Sequence, residues 1–573
     1  MNGSVSASLP VLSLDRKLYG IYEELRAVQK QFGYIPKEEM HAVAARRGLP
    51  VRDIHAVATY YPHFLTEVPK RAEVAFCDDL SCHLNGSAEF RKKIENQFGE
   101  DERKELTFRT VSCLGRCDSP PALRINDTFV DGLSSDAVAA MIHKCLGGLP
   151  IESTAPIQYH SIINSDVYAG QDKYGCLREL VRTGDFAGVI TKLKDAGLKG
   201  MGGAGFPASI KWELTRMTPA TEKFVVCNAD ESEPGTLKDR HIMTQIPHMM
   251  IEGIIISALV VGAKRGWIYI RHEYEHAREV LQEELNSCYE HGLLGRNILN
   301  SGLSFELEIF VSPGGYICGE VGAMLEAMEG KRAEPRDKPP QTGTHGLWQK
   351  PTLASNVETF VAAVTILANG ADWYKARGKN GGVGLKFIAV SGHVNNPGAY
   401  EVPMGTSYSD IINLYGGGVS GKRNLFAFAP SGPSSGFLPA SAVGLPMEWG
   451  ALAKAGSMVG SSAVIACAEG TCMLDMALNA VRFFRNESCG KCVPCRVGTQ
   501  KMVDMLTAWT QGHFSPEQMP LLEELSQMMQ TASICGLGQI APAPILSVIK
   551  HFPEQIAEHL QHQRCVGGVC FKN

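Results

Sequence analysis

The chain has 573 residues, which is too long for one hydrophobic core and predicts several domains. Its 44% hydrophobic and 20% charged residues are typical of a globular protein, and the net charge of −5 gives no reason to expect nucleic-acid binding. The longest apolar stretch, residues 254–263, is too short to cross a membrane, and residues 1–14 lack a signal peptide's basic start and apolar core, so we expect a cytoplasmic protein without a transmembrane segment.

Two small domains are predicted first. A helical bundle is expected over residues 1–70, because Leu18, Tyr22, Leu25 and Val28 recur at helical spacing and a turn at 33–36 precedes further helical patterns. A compact α/β domain is expected over 71–150, and a linker over 147–156 separates it from the rest. The strands and helices predicted in this domain cover residues 72–76, 87–98, 107–111 and 122–125, with a further helix after Ser134.

The larger part of the chain divides into three units. Residues 160–380 mix helix patterns with strands near 224–227, 267–271 and 305–311, which indicates a mixed α/β domain. Residues 385–430 predict a small β-rich unit, because two short strands flank a turn at 395–397. Residues 460–560 are rich in helix formers and predict a helical bundle.

Seventeen cysteines in a reducing compartment point to metals or redox chemistry, and the first group lies in the second domain. Cys77 and Cys82 follow one predicted strand and Cys113 and Cys117 another, so two strand ends can bring four thiolates together. These spacings fit a [2Fe–2S] cluster better than the paired C-x2-C turns of zinc sites. Zinc and four unrelated core thiols remain alternatives. A redox dithiol is disfavoured because no C-x-x-C occurs here.

This first part of the chain resembles the thioredoxin-like ferredoxin subunit of complex I, the 24-kilodalton subunit. The resemblance is carried by the helical bundle, the C-x4-C pair and the C-x3-C pair.

A second cysteine group lies in the predicted C-terminal bundle. Cys489, Cys492 and Cys495 form a C-x2-C-x2-C run, and Cys535 is a distant fourth candidate. Three thiolates on one turn plus a remote one is the arrangement that holds a [4Fe–4S] cluster. Structural zinc is the alternative, although zinc rarely needs the third closely spaced cysteine.

A glycine-rich loop at 200–207 contains G-x-G-x-x-G. The preceding residues look helical and no acidic residue follows at the proper distance, so a Rossmann unit is not expected. The loop leads into a predicted helix at 208–214 that carries Lys211, and its backbone amides could hold a phosphate there. A flexible turn without a ligand is the alternative.

Four further motifs, at 228–236, 316–320, 329–332 and 351–359, resemble the 51-kilodalton flavoprotein subunit of complex I together with the loop and the cysteine run. The resemblance extends over about residues 166–552. Fused versions of the two subunits occur as the diaphorase (beta) subunits of NAD-linked soluble hydrogenases and formate dehydrogenases, and this chain is similar to them.

The resemblance implies an α/β multidomain fold: a helical bundle with a thioredoxin-like ferredoxin domain, an FMN-binding domain, a β-grasp-like domain and a C-terminal helical bundle with a cluster. It implies a catalytic role for Glu233 beside the nicotinamide, which Phe206 would also face. The residues that it implies near FMN are Gly202, Gly203, Gly205, Lys211, Asn228, Asp230, Tyr316, Gly319, Glu320, Ser355 and Asn356.

The sequence departs from this family where aromatic and acidic residues are usual. Val321 stands for a Glu, Gln341 for an aromatic residue after Lys-Pro-Pro, Glu213 and Leu214 follow Trp212 where an aromatic is expected, and Met201 stands for an Arg. An aromatic stack on a base contributes roughly 1–3 kcal/mol, so losing two would weaken NAD(H) binding tenfold or more.

The resemblance implies hydride exchange between NAD(H) and FMN, followed by single-electron exchange with the [4Fe–4S] cluster and a separate catalytic subunit that carries further clusters. The [2Fe–2S] cluster would be a side relay or an exit. One alternative is an NAD-poor subunit of a larger reductase, such as a benzoyl-CoA reductase or an electron-bifurcating complex; another is a scaffold with zinc in both sites. Cys565 and Cys570 have no further pair beside them in sequence and are interpreted as free thiols or a partner contact.

Overall fold

The computed structural model describes residues 19–154, 163–169 and 171–571. The predictions for residues 1–14 and for Leu18 lie outside these ranges. Three helices come first, and they pack on the rest of the chain: the hydroxyl of Tyr60 donates to the carbonyl of Ala333 at 2.8 Å, and that of Tyr61 to the carbonyl of Lys331 at 2.7 Å. The helices are α1 (Ile21–Phe32), α2 (Lys37–Arg47) and α3 (Val51–Tyr60).

A four-stranded sheet in the order β2-β1-β3-β4 forms the second unit. β1 and β2 are parallel, whereas β3 is antiparallel to both β1 and β4. The elements are β1 (Ala72–Cys77), α4 (Leu80–Leu84), α5 (Ser87–Glu95), α6 (Glu100–Lys104), β2 (Leu106–Val111), β3 (Ala122–Ile125), β4 (Thr128–Asp131) and α7 (Ser135–Leu146). Because β1 and β2 are parallel, the segments that follow them leave the sheet at the same edge.

A parallel sheet in the order β7-β6-β5-β8 forms the centre of the third unit. Its strands are β5 (Phe224–Ala229), β6 (Arg265–Arg271), β7 (Glu306–Ser312) and β8 (Thr352–Asn356). Helices cover it: α8 (Gly175–Thr183), α9 (Phe186–Asp195), α10 (Ala208–Met217), α11 (Lys238–Gln245), α12 (Pro247–Val261), α13 (Glu275–Glu290), α14 (Val321–Met328), α15 (Val357–Asn369) and α16 (Ala371–Ala376). The strand order reverses between β5 and β8, and the carboxyl ends of strands at such a point are where open α/β sheets bind ligands.

A five-stranded sheet in the order β10-β9-β13-β11-β12 follows. The predicted hairpin around residues 395–397 is present, with β9 and β10 antiparallel. Its elements are β9 (Leu385–Gly392), β10 (Gly398–Pro403), α17 (Tyr408–Asp410), β11 (Leu425–Ala429), β12 (Leu438–Pro439), α18 (Trp449–Lys454) and β13 (Ala463–Ala468). Because β13 pairs with β9, the sheet draws in residues beyond 430, and the domain boundaries stay predictions.

The C-terminal part is helical, as expected. It comprises α19 (Met473–Asn486), α20 (Val493–Thr510), α21 (Met519–Ala532), α22 (Gly536–Ile540), α23 (Ala543–His551) and α24 (Pro553–Gln561). The segment after α24 folds back and brings Cys565 and Cys570 beside Cys472 and His559. These neighbours lie far away in sequence, so the interpretation of Cys565 and Cys570 as free thiols or a partner contact stays a prediction.

Short irregular helices join these elements at Ile298–Asn300, Tyr316–Gly319, Leu347–Gln349, Ile411–Tyr415, Ser420–Lys422, Pro433–Ser435, Ala440–Ala442 and Pro516–Gln518. In the described ranges no single helix has the length and apolar composition to cross a membrane; α11 and α12 satisfy that test only as a pair, bent by 95°.

Candidate cofactor sites

The carboxyl ends of β5 and β8 hold two asparagines against each other. The Nδ2 of Asn356 donates to the carbonyl of Asn228 at 3.3 Å, and the Nδ2 of Asn228 donates to the carbonyl of Gly319 at 2.8 Å. The adjacent strands end in register, since Asn228 pairs with Asn356 across the parallel ladder. The motif at 316–320 is thereby bound to the sheet edge at the point where the strand order reverses.

A cavity of about 230 Å³ opens at this edge. Eight of the thirteen predicted flavin and nucleotide residues line it: Gly202, Asn228, Asp230, Glu233, Tyr316, Gly319, Glu320 and Asn356. Residues from four separate sequence motifs therefore meet in one space. The structure also adds lining residues that the sequence did not indicate: Glu231, Ser232, Thr236, Lys238, Asp239, Ile317, Ser461, Gly536, Leu537 and Ile540.

Five predicted residues do not line the cavity, although they lie near the lining residues Gly202 or Asn356 in sequence: Gly203, Gly205, Phe206, Lys211 and Ser355. Ser355 is buried in β8, and Phe206 is half exposed. The Nζ of Lys211 donates to the carbonyl of Ala354 at 3.0 Å, and burial lowers the pKa of this amine to about 8. The positive φ of +65° at Gly205 suits glycine, and a side chain there would approach the ring of Trp449 to 2.7 Å.

The cavity wall fits an FMN because it is built from close backbone approaches and an unpaired polar atom. A Cβ at Gly202 would lie 3.0 Å from the Cβ of Asn356, so only glycine leaves the loop free to approach the strand end. The Oδ2 of Asp230 is buried and finds no hydrogen-bond partner among the described residues, which is costly unless a ligand supplies one. Burial raises the pKa of Asp230 to about 8.

Glu233 also lines the cavity and is held by two donors. Its Oε1 accepts from the backbone amide of Ser434 at 3.1 Å, and its Oε2 accepts from the hydroxyl of Ser461 at 3.2 Å. Burial raises the pKa of this carboxyl to about 7, although both serines lower it. Glu233 therefore changes its protonation state near neutral pH.

Lys238 brings a buried positive charge to the cavity. It is 1% exposed, and its Nζ lies 2.6 Å from Asp239, 3.0 Å from Glu358 and 3.1 Å from the Oδ1 of Asn356. Burial lowers the pKa of this amine, but the neighbouring carboxylates raise it further, so Lys238 stays charged. Its sequence surroundings carry no pattern that separates it from a surface lysine; only the tertiary contacts identify it.

The four cysteines of the predicted [4Fe–4S] site surround the beginning of two helices. Cys492 and Cys535 precede the first residues of α20 and α22, and Cys489 and Cys495 flank Cys492. The thiol of Cys495 lies 3.2 Å from the hydroxyl of Ser488. Burial raises the pKa of Cys489 to about 11 and that of Cys495 to about 12, so these thiols ionise at neutral pH only when a metal binds them.

The four cysteines of the predicted [2Fe–2S] site are gathered at the edge where β1 and β2 end. The exposed fractions of Cys77, Cys82, Cys113 and Cys117 lie between 2% and 4%, and the sulfurs of Cys113 and Cys117 are 3.4 Å apart. The backbone amide of Gly235 donates to the sulfur of Cys117 at 3.2 Å. Because Gly235 belongs to the 228–236 motif, the flavin motif reaches this site directly.

Arg271 links the unit that carries Cys113 to the central α/β unit. Its guanidinium donates to the carbonyl of Cys113 at 2.7 Å and to the carbonyl of Glu231 at 2.6 Å, and it forms an ion pair with Glu273 at 2.8 Å. A second cavity of about 300 Å³ is lined by Cys113 and shares Ser232 and Tyr316 with the first. The predicted [2Fe–2S] site and the cavity at the end of β5 and β8 are therefore neighbours.

Four family descriptions match the chain. They are a thioredoxin-like [2Fe–2S] ferredoxin over residues 14–146, a Nuo51 FMN-binding domain over 193–365, an SLBB domain over 387–438 and an NADH-ubiquinone oxidoreductase-F iron–sulfur binding region over 475–559. The predicted FMN, [2Fe–2S] and [4Fe–4S] domains, and the multidomain α/β fold, are confirmed.

Curated relatives match two thirds of the chain. The NADP-reducing hydrogenase subunit HndC of Solidesulfovibrio fructosivorans is 38% identical over 384 residues, which is 67% of this chain and 78% of the relative. The F subunit of the NADH-quinone oxidoreductase of Escherichia coli (strain K12) is 41% identical over 369 residues, or 64% of this chain and 83% of the relative.

A solved structure matches almost the whole chain. A chain of an NAD+-reducing [NiFe]-hydrogenase in the air-oxidized state superposes with a TM-score of 0.85 at 29% identity and covers 96% of this chain and 95% of its own length. The predicted resemblance to fused subunits is confirmed, because one chain of that enzyme spans both halves.

Proposed function

Because the chain belongs to the family of the F subunits of NADH-quinone oxidoreductase and their hydrogenase relatives, we propose that it exchanges electrons between NAD(H) and a separate catalytic subunit. It is an oxidoreductase of the NADH dehydrogenase type, with the FMN and iron–sulfur domains of that family. Bound FMN would supply the conversion between two-electron nicotinamide chemistry and one-electron cluster chemistry.

The position of the cavity between the two cysteine groups supports this proposal most directly. On one side its wall is formed by Gly536, Leu537 and Ile540, the helix that begins immediately after Cys535. On the other side Gly235, which follows the lining residue Glu233 by two positions, donates to Cys117. A flavin in the cavity would therefore adjoin segments that carry predicted ligands of both clusters.

We assign the flavin to the residues of the sheet edge. The glycine loop at Gly202, Gly203 and Gly205 would offer backbone amides to the phosphate, with Lys211 supplying a nearby positive charge. Asn228, Asp230 and Asn356 would supply directional hydrogen bonds at the strand ends, and Tyr316, Gly319 and Glu320 would shape the remaining wall. Ser355 would support this wall from within β8.

Glu233 and Phe206 are assigned to the nicotinamide nucleotide. Glu233 lines the cavity, and its carboxyl can hold a proton below about pH 7 and release it above. Phe206 is 50% exposed within the glycine loop, so its ring is accessible for stacking on a ligand. Gln341 and Glu213, where the family usually has aromatic residues, are exposed and polar. Phe206 is thus expected to carry most of the base stacking.

The proposal is tested by anaerobic titration of the purified chain, with its cofactors, against NADH. We expect bleaching of the flavin absorbance, followed by reduction of the clusters. Phe206→Ala should weaken the binding of NADH about tenfold or more, because a base stack contributes roughly 1–3 kcal/mol to the binding free energy. Leu414→Ala is the matched control and should leave the titration unchanged, because it removes an apolar side chain that is 74% exposed and belongs to the segment between β10 and β11 rather than to the glycine loop.

The alternative function is that of an NAD-poor electron-transfer subunit in a larger reductase. It is favoured by the polar residues at 213 and 341 and by Val321, where the family has a second carboxylate. Reduction of flavin and clusters by dithionite, without bleaching at millimolar NADH, would support this alternative against the first proposal.

The catalytic partner is proposed to be a separate redox subunit with further clusters. The relatives are named as subunits of NADH-quinone oxidoreductase and of hydrogenases. Isolation of the native complex and identification of its other subunits tests this directly; a chain that purifies alone and reduces a substrate by itself would contradict it.

A further inference from the structure

A buried charge network connects the cavity at the end of β5 and β8 to the five-stranded sheet. Its members are Lys238 and Asp239 at the beginning of α11, Glu358 at the beginning of α15, and Lys386 in β9. Their exposed fractions lie between 0% and 3%, and the first two line the cavity whereas the last two do not. Given the proposed function, in which FMN occupies this cavity, we propose that Lys386 is a positioning residue of the flavin site, which acts by neutralising Glu358.

Glu358 is the centre of the charge network. Its Oε2 lies 2.5 Å from the Nζ of Lys386 and 3.0 Å from the Nζ of Lys238, and its Oε1 accepts from the backbone amide of Phe387 at 2.8 Å. Lys238 also pairs with Asp239 at 2.6 Å. Two lysines therefore face two carboxylates. This balance matters because removing one partner of a buried ion pair leaves an uncompensated charge in a place that water does not reach.

The charge network also fixes the orientation of Asn356 in the cavity wall. A lysine ammonium can only donate and a carboxylate can only accept. The Oδ1 of Asn356 therefore faces the Nζ of Lys238 at 3.1 Å, and its Nδ2 donates to the Oδ2 of Asp239 at 2.6 Å. A displacement of Lys238 would turn the amide that the end of β8 offers to a ligand. Glu358 holds Lys238 in place, and Lys386 holds Glu358.

Lys386 brings its charge from a different unit of the protein. It lies in β9, one residue before the region that matches the SLBB domain. Burial lowers the pKa of its amine to about 8, although Glu358 raises it, so Lys386 is charged at neutral pH. The next residue, Phe387, packs its ring 6.2 Å from that of His241 in α11. The five-stranded sheet would thus supply both the packing and the cation that hold the beginning of α11 beside that of α15.

Lys386→Met tests this role, because methionine has a similar length but carries no charge. Glu358 would then keep an uncompensated negative charge 3.0 Å from Lys238, which lines the cavity. At an effective dielectric constant of about 20, one charge about 10 Å from an anionic ligand changes its binding about tenfold. We expect the affinity for FMN to fall about tenfold at pH 7. The midpoint potential of the flavin should also fall, because reduction adds negative charge to the ring.

A second substitution separates charge from packing. Lys386→Met combined with Glu358→Gln removes one charge of each sign, so the double variant should recover most of the FMN affinity and of the flavin potential. If Lys386 only stabilised the fold, the single variant would keep the unaltered potential and the double variant would gain nothing. Lys379→Met is the control for the loss of a lysine, since Lys379 pairs with Asp410 at 3.5 Å but is 43% exposed. It should leave both quantities unchanged.

The release of FMN from the complete protein on dilution, followed by flavin fluorescence, measures the affinity, and stepwise reduction by dithionite with redox dyes measures the potential. Dithionite replaces NADH, so a protein that NADH does not reduce still reports on Lys386. Iron analysis shows whether each variant folds. If Lys386→Met loses its iron, Lys386→Gln, which keeps a donor for Glu358 without the charge, takes its place. An unchanged affinity and potential in the single variant, a double variant without recovery, or the loss of iron in both Lys386 variants would each overturn the proposal.

Discussion

Gly538 limits the space behind a ligand of the predicted [4Fe–4S] site. A Cβ there would lie 2.9 Å from the Cβ of Cys495 and 2.5 Å from the hydroxyl oxygen of Ser533. Ordinary carbon–carbon contact is about 3.7 Å, so Cys495 would have to move by about 0.8 Å. Metal–ligand distances tolerate only about 0.2 Å. Gly538→Ala should therefore displace the ligand rather than merely strain the core.

We expect Gly538→Ala to lose about four iron atoms per chain, together with the signal of the reduced [4Fe–4S] cluster, while the [2Fe–2S] signal persists. Overpacking should also lower the free energy of unfolding by about 1–3 kcal/mol. Iron analysis and electron paramagnetic resonance measure the first effect, and denaturant unfolding measures the second.

Gly498→Ala is the matched control in the same bundle. A Cβ at Gly498 would approach the sulfur of Met529 to 2.6 Å, but a methionine side chain is flexible and can turn away. This variant should keep its iron. If Gly538→Ala retained the full [4Fe–4S] signal, the assignment of Cys495 as a ligand held by close packing would be refuted.

Two further predictions concern ionisation. Because burial raises the pKa of Glu233 to about 7, the rate of flavin reduction by NADH should show an inflection near pH 7, and Glu233→Gln should remove it; an unchanged inflection in rapid-mixing kinetics would assign that proton to another group. His83 is charged at neutral pH, because Asp475 and Asp78 raise its pKa to about 10 although burial lowers it. The interaction of charged His83 with Asp475 and Asp78 should stabilise the folded state fully below about pH 6.5 and progressively less as the pH rises through 10. Asp475→Asn should thus lower the free energy of unfolding by about 1–3 kcal/mol at pH 6 and have little effect above pH 10, and equal losses at both pH values in denaturant titrations would contradict this.

The two cluster sites could be predicted because thiolate ligands must be close in space and their spacing in sequence is constrained by local turns. The run Cys489, Cys492 and Cys495 spans the turn before α20 and the first turn of that helix, so its chemistry is visible in seven consecutive residues. The strand ends that carry Cys77 and Cys113 were predictable for the same reason, since β1 and β2 are short and regular.

The flavin cavity was predictable only through the resemblance. Its lining comes from separate motifs, and no local pattern around Asn228 or Asn356 predicts that β5 and β8 are neighbours in the sheet. The sequence did not identify Lys238 as a residue of the site. Its charge is balanced by Asp239 and by Glu358, which lies 120 positions further along the chain, so the sequence does not distinguish it from a solvated lysine.

The sequence by itself indicated the iron–sulfur clusters of this chain through ligand chemistry and short spacings, which are local properties, and it indicated FMN through the resemblance. Only the tertiary structure decided how those cofactors adjoin, since Gly235 meets Cys117 and Gly536 borders the flavin cavity through packing of distant segments. The same holds for Cys565 and Cys570. Their surroundings could not be predicted from the sequence, because Cys472 and His559 reach them only when α24 and the tail fold onto the start of α19.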